Sequence, residues 1–315
     1  MRVTRLGACA AILLTASCSS EAVDPESVPT FTSSAAIEEG PVSAQLARIN
    51  DSLAALGLNI AVAKAEFVLA PTAPEPAGGQ IVFANDRAKR LDTRWVSNDA
   101  RRLADGSRLT YMHVTPLLAA NGAGNAEGAI DASFQTWDDQ RCTTLDIVKR
   151  PWNGGNPSAI LALGGVAPVS VFSADIVTMG FLPGFIFDAV LGPGASASVL
   201  GVTFTFVFLE SAGGPESDID GDGRTDTALK EVWYNNAFDW TLSGLGNDID
   251  VETVALHENG HALELGHYGK IFGTLANLRL HASPRAVMNA AILGTLRSPK
   301  GTDNAAFCGN FGEWE

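Results

Sequence analysis

The chain has 315 residues, 46% of them hydrophobic and 18% charged, and its 35 acidic against 21 basic side chains give a formal charge of −14. That balance is globular, and the acidic excess excludes nucleic acid and anionic membrane surfaces as expected partners. No internal repeat is visible and no apolar run reaches about 18 residues, which excludes a solenoid and a membrane-spanning helix.

Residues 1–18 read as an export signal, with Arg2 and Arg5 ahead of a short apolar core from Ala8 to Ala16. Loss of the two arginines takes the chain to about −16. Within the signal, Leu14-Thr15-Ala16-Ser17-Cys18 resembles the lipobox of bacterial lipoproteins. Cys18 is then either a lipidated first residue, anchoring the chain to a membrane, or a neighbour of an ordinary cleavage site. Both readings predict an exported protein, secreted or held at the cell envelope. Residues 19–40, rich in Ser, Pro, Glu and Ala, predict a disordered linker.

Residues 41–105 form an N-terminal segment. Leu46, Ile49, Leu53 and Leu56 recur at helical spacing, Asn59 to Leu69 reads as a strand, and Pro71 to Gly79 is a Pro/Gly-rich loop and candidate boundary. Residues 106–315 read as the main domain. A β-rich run covers Arg108 to Val114, and a helix covers Ala126 to Asp139 with Ile130, Phe134 and Trp137 on one face. Strands follow at Asp175 to Met179, Val202 to Leu209 and Glu231 to Tyr234. In the second, Val202, Phe204, Phe206 and Phe208 alternate with Thr203 and Thr205, which predicts a sheet with unlike faces. The sum is a mixed α/β (α+β) domain.

Past the signal only Cys142 and Cys308 remain, and in an oxidising compartment such a pair predicts a disulfide tying down the C-terminus. Asp218, Asp220, Asp222 and Asp226 surround Gly221 and Gly223 in the manner of oxygen ligands around Ca²⁺. Leu229 stands where an EF-hand needs its bidentate acid, so the alternatives are a loop-stabilising calcium site and a solvated acidic turn. Asp250 and Glu252 suit the N-terminal end of a following helix.

That helix carries Val254-Ala-Leu-His257-Glu258-Asn-Gly-His261-Ala-Leu-Glu264-Leu-Gly266-His267, with three of the five histidines of the chain. Residues four apart on a helix differ by about 40° in direction and about 6 Å in height, so His257 and His261 can grip one ion. Neutral imidazoles suit Zn²⁺, and a catalytic zinc keeps three protein ligands and an open position. Glu258 stands where a carboxylate can act as general base. On a continuous helix His267 lies about 280° round from His257 and about 15 Å along the axis, so as third ligand it requires the helix to break. Glu264 falls within about 20° of His257 but about 10 Å away along the axis, too far to share the ion.

The segment resembles the HExxHxxGxxH pattern of the metzincin zinc peptidases, with Glu264 in place of the pattern's Gly, and is closest to the matrixins. Ser283-Pro-Arg-Ala-Val-Met288-Asn289 resembles their Met-turn, Ala174 to Val177 their third strand, and Glu231 to Thr241, more weakly, their fifth. The resemblance implies a twisted mixed five-stranded sheet with a backing helix and an active-site helix, and Val202 to Phe208 as the edge strand against which a peptide substrate lies. It implies a monomeric zinc endopeptidase, a protein or peptide substrate, and Met288 beneath the metal. It does not cover residues 41–105, a candidate propeptide. A left-handed turn at Glu264 costs about 1–2 kcal/mol, unless Gly266 carries part of it. The rival functions are a zinc peptidase with a distal Glu ligand and a non-catalytic, metal-stabilised surface lipoprotein.

Overall fold

The computed structural model describes residues 41–71, 90–103, 107–161, 172–246, 248–274 and 279–314. The signal with Cys18, the 19–40 linker and most of the Pro71–Gly79 loop lie outside them. All described residues belong to one compact unit.

In chain order the elements are α1 (Pro41–Ala55), β1 (Ile60–Leu69), β2 (Thr93–Arg94), β3 (Leu109–His113), β4 (Ala119–Ala120), β5 (Gly124–Asn125) and α2 (Glu127–Asp138). They continue with β6 (Ile147–Arg150), β7 (Ile176–Leu182), α3 (Gly184–Leu191), α4 (Ala195–Ser198), β8 (Val199–Phe208) and β9 (Thr225–Asn235). The last are β10 (Trp240–Thr241), β11 (Ile249–Asp250), α5 (Val251–Ala262), β12 (Lys270–Thr274), β13 (Arg279–Ser283) and α6 (Gly301–Phe311).

The main sheet runs β1-β8-β9-β7-β3-β6, with β2 paired to β9. Strands β6, β3, β7 and β9 are parallel, while β8 is antiparallel to β9 and β1 antiparallel to β8. The sheet therefore has seven strands where five were expected. The difference comes from outside the resemblance: β2 and β1 both belong to the 41–105 segment, and β1 is a full ten-residue strand. Its side-chain alternation fits a sheet, but alternation defines faces and not neighbours.

One consequence corrects a site expectation. Val202 to Phe208 is not an edge, because β1 covers its free side from Ile60 opposite Phe208 to Leu69 opposite Val199. The two faces of β8 are unlike, yet both are buried along its whole length. Its Phe204 and Phe206 join Leu46, Ile49, Leu53, Phe187 and Trp233 in the core on the α1 and α3 side. On the other side Ile130, Phe134, Trp137, Val254, Leu256 and Phe307 pack α2, α5 and α6 together. Trp137 Nε1 donates to the Leu256 carbonyl at 3.0 Å, and Asn259 Nδ2 to Ser133 Oγ at 2.6 Å, which fixes the rotation of α5 against α2.

Candidate metal centre

Helix α5 begins at Asp250, whose carboxylate accepts from the Thr253 N–H and Oγ1 at 3.0 and 2.6 Å, satisfying a first-turn donor. It ends in a Schellman pattern: the Leu265 N–H donates to the Gly260 carbonyl and the Glu264 N–H to the His261 carbonyl. Such an ending needs a left-handed residue, and Glu264 takes it with φ 65°. Gly266 does not share the turn, since it is absent from the positive-φ residues among those described. The chain reverses there, and the reversal brings His267 back over the helix.

The three imidazoles meet through their Nε2 atoms, 3.0 Å apart for His257 and His261, 3.1 Å for His261 and His267, and 3.3 Å for His257 and His267. His257 Nδ1 lies 2.7 Å from the Val287 carbonyl and His261 Nδ1 2.7 Å from that of Leu265. A carbonyl only accepts, so both Nδ1 atoms carry the proton and both Nε2 atoms present a lone pair. Burial pushes the His257 imidazole down to about 4 against the opposing effect of Val287, and pushes His261 and His267 well below the ordinary range. The facing lone pairs of His257 and His261 repel unless a proton or a cation lies between them, and His267 Nε2 stands within reach of the same point. Tetrahedral bonds of about 2.0–2.1 Å to one zinc put ligand nitrogens about 3.3 Å apart, close to the separations here. The donor set fits a divalent transition metal, and among the described residues no fourth His, Cys, Asp or Glu joins this group.

Glu258 is fully buried on the same helix. Its Oε2 lies 2.7 Å from Thr203 Oγ1 of β8, while Oε1 has no hydrogen-bond partner. Burial pushes this carboxyl well above the ordinary range, opposed by Thr203 and by the Val68 N–H turned toward it and assisted by Glu66. Gly201 makes the space, because a Cβ there would stand 2.9 Å from Glu258 Cγ. Met288 lies beneath α5 and is buried; its Sδ would be 2.4 Å from a Cβ on Gly260, so the helix tolerates only glycine at that contact without repacking.

Glu264 is not among the converging groups. Its carboxylate accepts from Thr93 Oγ1 and Thr227 Oγ1 and pairs with Lys230 Nζ at 3.1 Å, all buried. Lys230 is in turn 2.8 Å from Thr205 Oγ1. Thr203 and Thr205, which the period-two pattern set apart from the phenylalanines, thus face the site. Lys230, Thr227, Thr93 and Glu66 carried no sequence signal, since each acts across a tertiary contact. Glu66 Oε2 has no hydrogen-bond partner and lies 3.7 Å from His261 Nδ1, and burial pushes its carboxyl up to about 7.

Cys142 and Cys308 are bridged, with Cα atoms 5.6 Å apart, which attaches α6 to the turn after α2. Asp218, Asp220 and Asp222 converge on an exposed loop. Asp226, expected with them, is buried instead, accepting from Arg101, Ser217 and the Ile219 N–H. Its side chain alternates inward because residue 226 already belongs to β9. Asp222 is engaged by Arg94 at 2.6 Å.

The chain matches no family model, and no curated protein is significantly similar to it. Fold and site define a mixed α/β protein with a buried three-histidine cluster suited to holding a metal ion. Among the described residues no helix is long and apolar enough to cross a membrane.

Proposed function

We propose that this protein is an exported zinc endopeptidase, with the ion held by His257, His261 and His267 and with Glu258 as the proton-transferring group. The observation that carries the proposal is the convergence of three neutral Nε2 atoms one residue from a buried carboxyl with a free oxygen. Three protein ligands are the number a catalytic zinc uses, whereas a structural zinc takes four. Bound there, zinc supplies Lewis acidity, polarising a carbonyl and making water acidic enough to attack at neutral pH. Glu258 takes a proton from the attacking water and returns it to the departing amide nitrogen. Thr203 holds Oε2 in place and leaves Oε1 for that transfer. The disulfide supports an oxidising compartment.

A distal Glu ligand is disfavoured by the three partners that hold Glu264 elsewhere. A non-catalytic metal protein has one observation on its side, the burial of Glu258 beneath β1. The decisive measurement is zinc content and casein hydrolysis by residues 19–315 and its Glu258→Ala variant. One zinc in both with hydrolysis by the parent alone is expected; one zinc with no hydrolysis of casein or of the chain itself would give the site to the non-catalytic reading.

A further inference from the structure

Strand β1 passes between β8 and the segment after Met288. Its last residues are held on two sides by backbone. On one side Phe67 opposes Val202 and Val68 opposes Gly201 in the antiparallel pair with β8, and the Ala70 N–H donates to the Ser198 carbonyl at 2.9 Å. On the other side the Leu69 N–H donates to the Ala290 carbonyl at 3.1 Å, and the Ile292 N–H donates to the Leu69 carbonyl at 3.0 Å, a parallel bridge onto the segment after Met288. An extended segment hydrogen-bonded to a strand in this way uses the same contacts by which proteins bind peptides at sheet edges.

The register sets one bond over the chemistry. The Val68 N–H faces the Glu258 carboxyl, and Gly201, opposite Val68, is the residue whose missing side chain admits that carboxyl. Two residues earlier, on the same face of β1, Glu66 reaches to 3.7 Å from His261 Nδ1, so residues 66 to 68 pass beside the helix that carries His257, Glu258 and His261. The Val68 side chain is fully buried in the same core as Val287 and Ile292.

We propose that the Phe67–Val68 peptide bond is the first substrate of this site: the chain is a latent form whose own N-terminal strand fills the cleft, and hydrolysis of that bond opens it. The inference rests on the peptidase reading given above. Water adds its oxygen to the Phe67 carbonyl carbon and the bond to the Val68 nitrogen breaks. Glu258 carries the protons of the water to that nitrogen in turn, leaving a carboxylate on Phe67 and an ammonium group on Val68, with no change in oxidation state. Both bridged cysteines lie beyond the cut, so nothing covalent retains the piece ending at Phe67. Its departure uncovers the hydrogen-bonding edge of β8, and with it any anchor at Cys18 is separated from the part that bears the histidines.

The test uses residues 19–315 purified without metal and then given zinc, followed by intact mass and N-terminal sequencing, beside Glu258→Ala and Glu258→Gln. Expected are loss of the full-length mass, a new N-terminus at Val68 and a rate unchanged on dilution, as an intramolecular reaction requires, with both variants uncut. Casein hydrolysis should rise only as the full-length mass falls. Casein cleaved by a chain whose 67–68 bond stays whole overturns the inference and leaves the peptidase reading standing; a cut at another bond also overturns it. Hydrogen exchange of the metal-free Glu258→Gln protein gives an answer independent of activity. Slow exchange at Leu69 and Ala70 is expected, and fast exchange there means that the strand is not held in the cleft.

Discussion

Glu264 shows how a residue that breaks a local rule can be stabilised by distant ones. A left-handed backbone favours glycine, and a non-glycine residue there costs about 1–2 kcal/mol. At this position the cost is accepted because the side chain supplies the partner of Lys230, a fully buried ammonium that burial pushes down and Glu264 raises. Removing one member of a buried ion pair costs about 3–5 kcal/mol, since the other is left charged without compensation. Glu264→Gly should therefore destabilise the protein by about 1–4 kcal/mol even though it relieves the backbone. Adding Lys230→Met should recover most of that loss. Chemical denaturation midpoints of the single and double variants check both statements; a more stable Glu264→Gly protein would contradict the account. The histidine cluster was legible in the sequence because helical spacing is local, whereas the pairing of Glu264 with Lys230, 34 positions apart, exists only once β9 and α5 have packed.

Among elements, α2 is tied to two strands through Asp131. Its carboxylate receives Tyr111 Oη at 3.1 Å and His113 Nε2 at 2.9 Å from β3, and Lys149 Nζ at 2.7 Å from β6. Burial raises this carboxyl, but the hydrogen bonds from His113 and Lys149 outweigh it and hold it at about 2, below the ordinary 3.8. A carboxylate held low in the fold contributes stability that is present above 3.8 and is lost as the pH falls toward about 2. Asp131→Asn should accordingly unfold at lower denaturant than the parent near neutral pH, with the difference closing over that acid window. A difference that persists at the acid end would show that the contribution is packing and not charge. The helices and strands themselves were largely readable: the patterns at 46–56, 59–69, 108–114 and 126–139 correspond to α1, β1, β3 and α2. What the patterns could not carry was which strand lies beside which, and so β8 read as an edge until β1 was found upon it.

For the whole molecule, the bridge between Cys142 and Cys308 closes a loop spanning 166 positions. Loss of a native disulfide costs about 2–5 kcal/mol, and Cys142→Ser with Cys308→Ser should lower the denaturation midpoint accordingly. The bridge also stands at one end of a chain of bonds that leads inward. It fastens α6, whose Asp303 accepts from the Val287 and Met288 N–H groups at 3.0 and 3.2 Å. The Val287 carbonyl in turn receives the His257 Nδ1 proton. Groups that orient a ligand in this way typically alter metal affinity by about 10–100-fold when lost. The serine variant should hence release zinc to a chromogenic chelator more readily than the parent, by about tenfold, while unchanged affinity would mean that α6 stays docked without its bridge. With the proposed ion bound, reduction of the bridge would therefore be felt at the centre, and a chain entering a reducing environment is expected to lose its metal first and its fold second.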